Sequence, residues 1–226
     1  VEILDGLTAW FADPAQWSGS AGIPARLGEH VYYSLLALVL SALIAVPVGL
    51  FTGHTGVGGF LTASLANFAR ALPTIGVLFL VVMAAGIGLV PVIAALVALA
   101  VPPILVNTHE GVRSVDPGLR DAATGMGMRG REVLLRLELP VALPLVLIGL
   151  RTAAVQVVAT ATIAAYVGVG GLGRYIFDGQ AQQNLSMILG GSVLVVALAV
   201  VTTLLFAGAR RLLVAPGLRA QAAPAR

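Results

Sequence analysis

Apolar runs of membrane-spanning length, separated by short polar or glycine-rich stretches, set the rhythm of this chain. The cleanest run, Val31 to Phe51, holds only small polar interruptions, and Pro47 near its end removes one helical amide hydrogen bond and predicts a bend. A Gly- and Thr-rich stretch carrying Arg70 follows. The next apolar material divides at Gly86-Ile87-Gly88 into 72–85, with a start as early as Ala66, and 89–106, the latter broken by Pro91, Pro102 and Pro103. After a polar region over 107–138 comes a long run over 139–167 containing Pro140, Pro144 and Arg151, then a glycine-rich break over 168–184 and a last run over 185–208. Each run reaches roughly 20 residues or can be extended toward that length, enough to cross a bilayer as a helix. The pattern predicts an all-α membrane protein with about five transmembrane helices.

Composition supports this reading. The chain is 58% hydrophobic and 10% charged, with a mean hydropathy of +0.99, too little polar surface to cover a soluble domain of this size. Residues 1–30 carry Glu2, Asp5 and Asp13 and lack the basic start and apolar core of a cleavable signal sequence. All 13 basic residues are Arg. With five spans the termini fall on opposite sides, and Arg210, Arg211, Arg219 and Arg226 at the end outweigh Arg26 at the start, so the positive-inside tendency predicts the N-terminus outside and the C-terminus inside. The expected layout is an extracytoplasmic segment over 1–30, a transmembrane domain over 31–208 that includes a cytoplasmic loop over 107–138, and a cytoplasmic tail over 209–226.

The chemistry concentrates in the loop. Ser114 or Asp116 is placed to cap a short helix with Pro117 at its first position. Asp121, Ala122 and Ala123 continue that helix, Gly125 and Gly127 interrupt it, and Arg129 to Leu137 suit a second short helix. Small alanines permit close approach, and Met126 and Met128 offer adaptable apolar surface. On these residues alone, a docking elbow for a cytosolic partner and a solvated connection compete evenly.

The spacing resolves the competition through a resemblance. Asp121-Ala122-Ala123, Gly127 and then Leu137-x-Leu139-Pro140 resemble the EAA signature of permease subunits in bacterial ABC importers, EAA-x3-G-x9-I-x-LP, with Asp in place of the first Glu and Leu in place of Ile. The stretches PPILVNTHEGVRSVDP, VDPGLRDAATGMGMRGREVLLRLELPVALPLVLIGLRTA and TATIAAYVGVGGLGRYIFDGQ resemble the osmoprotectant branch, whose members carry glycine betaine, carnitine, choline and related compounds. The resemblance implies a multi-pass permease of the bacterial inner membrane with the fold of methionine- and maltose-type importers. It implies a second permease, identical or related, two ATPase subunits and an extracytoplasmic substrate-binding protein, with membrane lipid around them and no role for nucleic acid. Asp121, Ala122, Ala123, Gly125, Met126, Gly127 and Met128 would form the coupling segment that meets the ATPase. This chain has no GxxxxGK[ST] phosphate loop, so it is not expected to be an enzyme: ATP and Mg belong to the partner ATPase, and no cofactor is expected here.

Polar residues inside the long runs are candidates for the pathway. Arg151 must face protein, water or headgroups and serves by snorkelling, by pairing or as a gate. Gln156, Thr160 and Thr162 add polar groups to the same run, and the Thr hydroxyls either satisfy their own helix or line the route. The glycines over 168–173 suit close backbone packing or a re-entrant turn. Beside them Tyr175, Phe177 and Asp178 either anchor the membrane interface or touch the binding protein. Aromatic faces hold quaternary ammonium ions, yet the aromatics are scattered and no cage is evident from their order. His30, His54 and His109 show no metal-ligand spacing, and no metal is expected.

Two other functions fit part of the pattern. A permease for amino acids or another small solute shares every feature except the branch resemblance. A channel or secondary transporter would need its own selectivity groups or coupling ion, and no intramembrane Asp or Glu relay or inverted repeat stands out; in a scaffold subunit the Gly-, Pro- and Thr-rich breaks would be packing devices only.

Overall fold

The computed structural model describes residues 2–60, 64 and 73–215. These residues are helical almost throughout: α1 (Glu2–Ala12), a short 3-10 turn Pro14–Trp17, α2 (Ile23–Thr55), α3 (Thr74–Ala85), α4 (Leu89–Arg113), α5 (Pro117–Gly125), α6 (Gly130–Val133), a π turn Leu134–Glu138, α7 (Leu139–Ala164), α8 (Gly173–Ala181) and α9 (Leu185–Leu213). Among the described residues four continuous helices are long and apolar enough to span a membrane, over Ile23–Thr55, Leu89–Arg113, Gly130–Val167 and Leu185–Leu213. Where the sequence suggests about five spans, the structure has these four and the shorter apolar α3. The expected earlier start of α3, together with Arg70, Arg219 and Arg226, falls outside the described residues.

Two boundaries differ from the sequence reading for one physical reason: polar side chains inside the helices have partners. α2 begins at Ile23, ahead of Val31, because Arg26 pairs with Glu29 at 2.9 Å and His30 is buried and hydrogen bonded. Likewise residues 107–113 are the last turns of α4, not loop. Asn107 Nδ2 and Thr108 Oγ1 donate to the carbonyls of Pro103 and Ile104, both at 2.8 Å, so these polar residues are satisfied within the helix.

The chain forms two compact units, and α2, α4, α7 and α9 each give one part to each. The first comprises Val1–Val39, Leu72–Leu99 and Ala154–Thr202. One buried cluster in it is Trp10, Ile23, Leu172 and Tyr175, with the Trp10 and Tyr175 rings edge to face at 5.3 Å. Gly190 and Gly191 on α9 make room for it, since a Cβ on Gly190 would strike the Trp10 ring and one on Gly191 would meet Tyr175 Cβ at 2.6 Å.

The second unit comprises Leu40–Ala71, Ala100–Ala153 and Thr203–Arg226. Val112, Ala142 and Val146 form one buried cluster in it, flanked by Val46, Leu50 and Leu150. Small residues set its helix contacts. A Cβ on Gly49 would lie 2.6 Å from Thr108 Cβ, and one on Gly149 would lie 2.8 Å from Asn107 Cβ. Such backbone approach is how helices associate where lipid removes the hydrophobic drive.

Candidate functional site

The elbow after α4 is built by local rules. Asp116 caps α5, its Oδ1 accepting the backbone N–H groups of Gly118 at 2.7 Å and Leu119 at 3.3 Å, and Pro117 occupies the first turn, where no amide partner is lost. Ser114, the other expected cap, instead donates to the Gly111 carbonyl. At the far end Met126 N donates to Ala122 O at 3.0 Å, Gly127 N to Thr124 O at 2.9 Å and Met128 N to Ala123 O at 3.2 Å. Gly127 has φ +88, the left-handed region that favours glycine, and this reverses the chain toward α6. Glu132 then accepts the Arg129 backbone N–H at 2.9 Å, closing the first turn of the second helix.

This geometry divides the coupling residues by exposure. Ala123 is buried and holds the elbow down, while Asp121, Ala122, Gly125, Met126 and Gly127 are exposed and Met128 is half-buried. Met126, just past the end of α5, is 77% exposed and Leu119 within it 51%, so the elbow presents apolar side chains near a carboxylate. The Asp121 side chain, within α5, makes no hydrogen bond or ion pair among the described residues.

Beneath the elbow lies a buried carboxylate that the sequence reading missed. Glu138, on the π turn, has a side chain 1% exposed; its Oε1 stands 2.8 Å from Arg120 Nε and its Oε2 is 2.6 Å from His54 Nδ1. Arg120 also donates from Nη2 to the Val112 carbonyl at 2.5 Å. One carboxylate therefore joins α5, the end of α2 and the start of the long α7 helix, and Arg120 adds the end of α4. The available signal was an acid placed next to Leu139-Pro140 within an apolar run, where an isolated charge would be costly.

A second cluster lies within the first unit. Gly168 and Gly171 turn the chain with φ +81 and +94. Glu29 Oε2 accepts the Gly171 N–H at 2.7 Å, and His30 Nδ1 accepts that of Leu172 at 3.3 Å, which leaves His30 Nε2 to donate to the Val158 carbonyl at 3.0 Å. Tyr175 is buried, and its hydroxyl donates to the Ala21 carbonyl at 2.7 Å. Burial pushes the phenol above its ordinary range and keeps it a donor. Tyr175 is thus held inside the first unit by its ring and its hydroxyl alike. Asp178 pairs with Arg174 at 2.8 Å. Phe177 and Phe79 flank the exposed Tyr166, each ring 5.4 Å from it, an aromatic grouping invisible in the linear order.

Of the other expected pathway residues, Thr162 donates to the Ala159 carbonyl at 2.6 Å, Thr160 is buried and Gln156 is half-buried. Arg151 is grouped with Arg210 and Arg211 around one pocket in the second unit. His54 and His109 serve separate contacts, His109 Nδ1 lying 3.0 Å from Thr52 Oγ1.

Comparison with known proteins adds the wider context. The sequence pattern of the family described as "binding-protein-dependent transport system inner membrane component" matches residues 45–219. The glycine betaine/carnitine/choline transport system permease protein OpuCB of Bacillus subtilis (strain 168) is 36% identical over 194 residues, covering 86% of this chain and 89% of the relative. The choline transport system permease protein OpuBB of the same organism is 37% identical, covering 84% and 88%. The osmoprotectant import permease protein OsmW of Salmonella typhimurium is 34% identical, covering 76% and 83%. Among solved structures, a chain of the MetNI methionine ABC transporter in an inward-facing conformation superposes with a TM-score of 0.77 at 21% identity, covering 90% of this chain and 100% of that one.

Proposed function

The chain belongs to the binding-protein-dependent transport system inner membrane components, and from that premise we propose that it forms the transmembrane pathway of an ATP-driven importer for quaternary-ammonium osmoprotectants. It is a multi-pass permease of the inner membrane. The observation that carries the mechanism is the exposed elbow of α5, seated by Arg120 on a buried Glu138.

In this reading the elbow is the part of the permease that enters a groove on a separate ATPase, with the N-terminus outside and the C-terminus inside. Leu119 and Met126 supply apolar contact and Asp121 an unpaired charge. A displacement of α5 is passed to helix ends through Arg120 and Glu138, because breaking that contact would strand a buried carboxylate. ATP and Mg would act in two ATPase subunits. Their closure would turn a pair of permeases outward toward a loaded binding protein, and hydrolysis would reset the pair. Gln156, half-buried on α7, is the polar group assigned to the route.

The substrate class is supported by relatives named for glycine betaine, carnitine and choline transport at 36–37% identity across most of this chain. Proteoliposomes holding the complete importer test the reading. ATP- and binding-protein-dependent uptake of glycine betaine, carnitine or choline is expected; uptake that persists without the ATPase would defeat the mechanism. Uptake of amino acids but no quaternary amine would leave the mechanism standing and replace the substrate.

A further inference from the structure

We propose that Arg151, Arg210 and Arg211 form a binding site for the phosphate headgroup of an anionic phospholipid, with its acyl chain against Leu147, Ile148 and Phe206.

The site is a pocket of about 310 Å³ whose lining residues divide by chemistry: three arginines, and the apolar Leu147, Ile148, Phe206 and Ala207. None of the three arginines makes an ion pair or hydrogen bond from its side chain among the described residues. Three cations gathered without an internal acid repel one another, and a phosphate accepting several N–H groups is the ligand that relieves this and matches the guanidinium fork. Apolar walls beside such a cationic rim suit a ligand with a charged head and a hydrocarbon tail.

The level of the pocket fits the headgroup layer. From Leu185 to Arg210, α9 runs about 38 Å at 1.5 Å per residue, longer than the roughly 30 Å hydrocarbon core. Arg210 therefore stands near a boundary, more than a turn beyond Leu204 and Leu205, which are 63% and 67% exposed. Arg151 belongs to an apolar stretch, but the continuous helix Gly130–Val167 has 38 residues and is about 57 Å long, so it extends well past the hydrocarbon. Sharing a pocket with the end of α9 gives Arg151 the same boundary. Basic pockets between spanning helices recognise anionic headgroups in this layer. The inference rests on the membrane placement of the chain and is independent of its substrate.

The test uses the full chain purified with the subunits that accompany it, exchanged into bilayers of phosphatidylcholine with or without phosphatidylglycerol and examined by native mass spectrometry. The parent is expected to retain phosphatidylglycerol and not phosphatidylcholine, and the triple variant R151Q/R210Q/R211Q to lose it. The double variant R210Q/R211Q, altered only at a helix end, covers failure of the triple to fold, and is expected to weaken retention roughly tenfold or more. Equal retention of both lipids, retention unchanged by the double variant, or displacement of the lipid by inorganic phosphate would each overturn the assignment. So would loss of subunits in the double variant with lipid retention intact, because the pocket would then be a protein contact.

Discussion

Glu138 Oε2 lies 2.6 Å from His54 Nδ1, although 84 positions separate the two residues in the chain. The contact fastens the end of the first long helix to the turn that follows the elbow. With Arg120 on its other oxygen, the buried carboxylate is shared between two partners, and neither alone replaces what burial takes away.

Replacing Glu138 by Ala should lower stability by about 3–5 kcal/mol, the range for stranding one member of a buried ion pair. Glu138→Gln keeps an acceptor for Arg120 and should cost less. Thermal unfolding in detergent checks the order: an Ala variant as stable as the parent would remove the carboxylate from any structural role.

The two glycines of the elbow separate backbone strain from space. A Cβ on either Gly125 or Gly127 would meet nothing within 4 Å, so sterics do not distinguish them. Gly127 has φ +88, whereas Gly125 ends α5 in helical geometry. Gly127→Ala should therefore destabilise by about 1–2 kcal/mol, and Gly125→Ala should be neutral or stabilising by up to about 1 kcal/mol. Equal effects in thermal melts would mean that the left-handed turn does not decide the elbow's shape.

Asp121→Lys addresses docking without disturbing the fold. The residue is exposed and has no partner among the described residues, so the melting behaviour should stay within about 0.5 kcal/mol of the parent. Association with the ATPase, measured by co-purification, should fall. A variant that keeps both its stability and its ATPase would take Asp121 out of the docking surface.

The long helices and the elbow were legible because each rests on local information: apolar runs, an Asp-Pro start and a Gly-x-Gly end. Their limits were not. Arg26, Glu29 and His30 read as the end of the extracytoplasmic N-terminal segment, yet they lie inside α2, where Glu29 and His30 accept backbone amides from Gly171 and Leu172. The same long-range contacts hid the rest of the candidate site. Tyr175 looks like surface beside a polar loop until Trp10 and Ala21 cover it. Arg151 reads as an isolated intramembrane charge until the end of α9 supplies its neighbours. Local pattern sets which segments are helices, and pairing across the chain decides which of their polar residues are buried.

Gly173 offers the strictest test of how the glycine-rich turn is held. A Cβ there would fall on the Thr162 carbonyl oxygen, a backbone atom that cannot rotate away, whereas one on Gly28 would meet nothing within 4 Å. Gly173→Ala must push α8 from α7, with an overpacking cost of about 1–3 kcal/mol. The shift would also loosen the amides of Gly171 and Leu172 from Glu29 and His30, so hydrogen exchange at those two positions should accelerate along with the loss of stability. Gly28→Ala removes backbone freedom from the unfolded chain and should be stabilising by about 0.5–1 kcal/mol. If both variants melt like the parent while exchange at Gly171 stays slow, the close approach of Gly173 to Thr162 does not hold the turn, and Glu29 and His30 suffice.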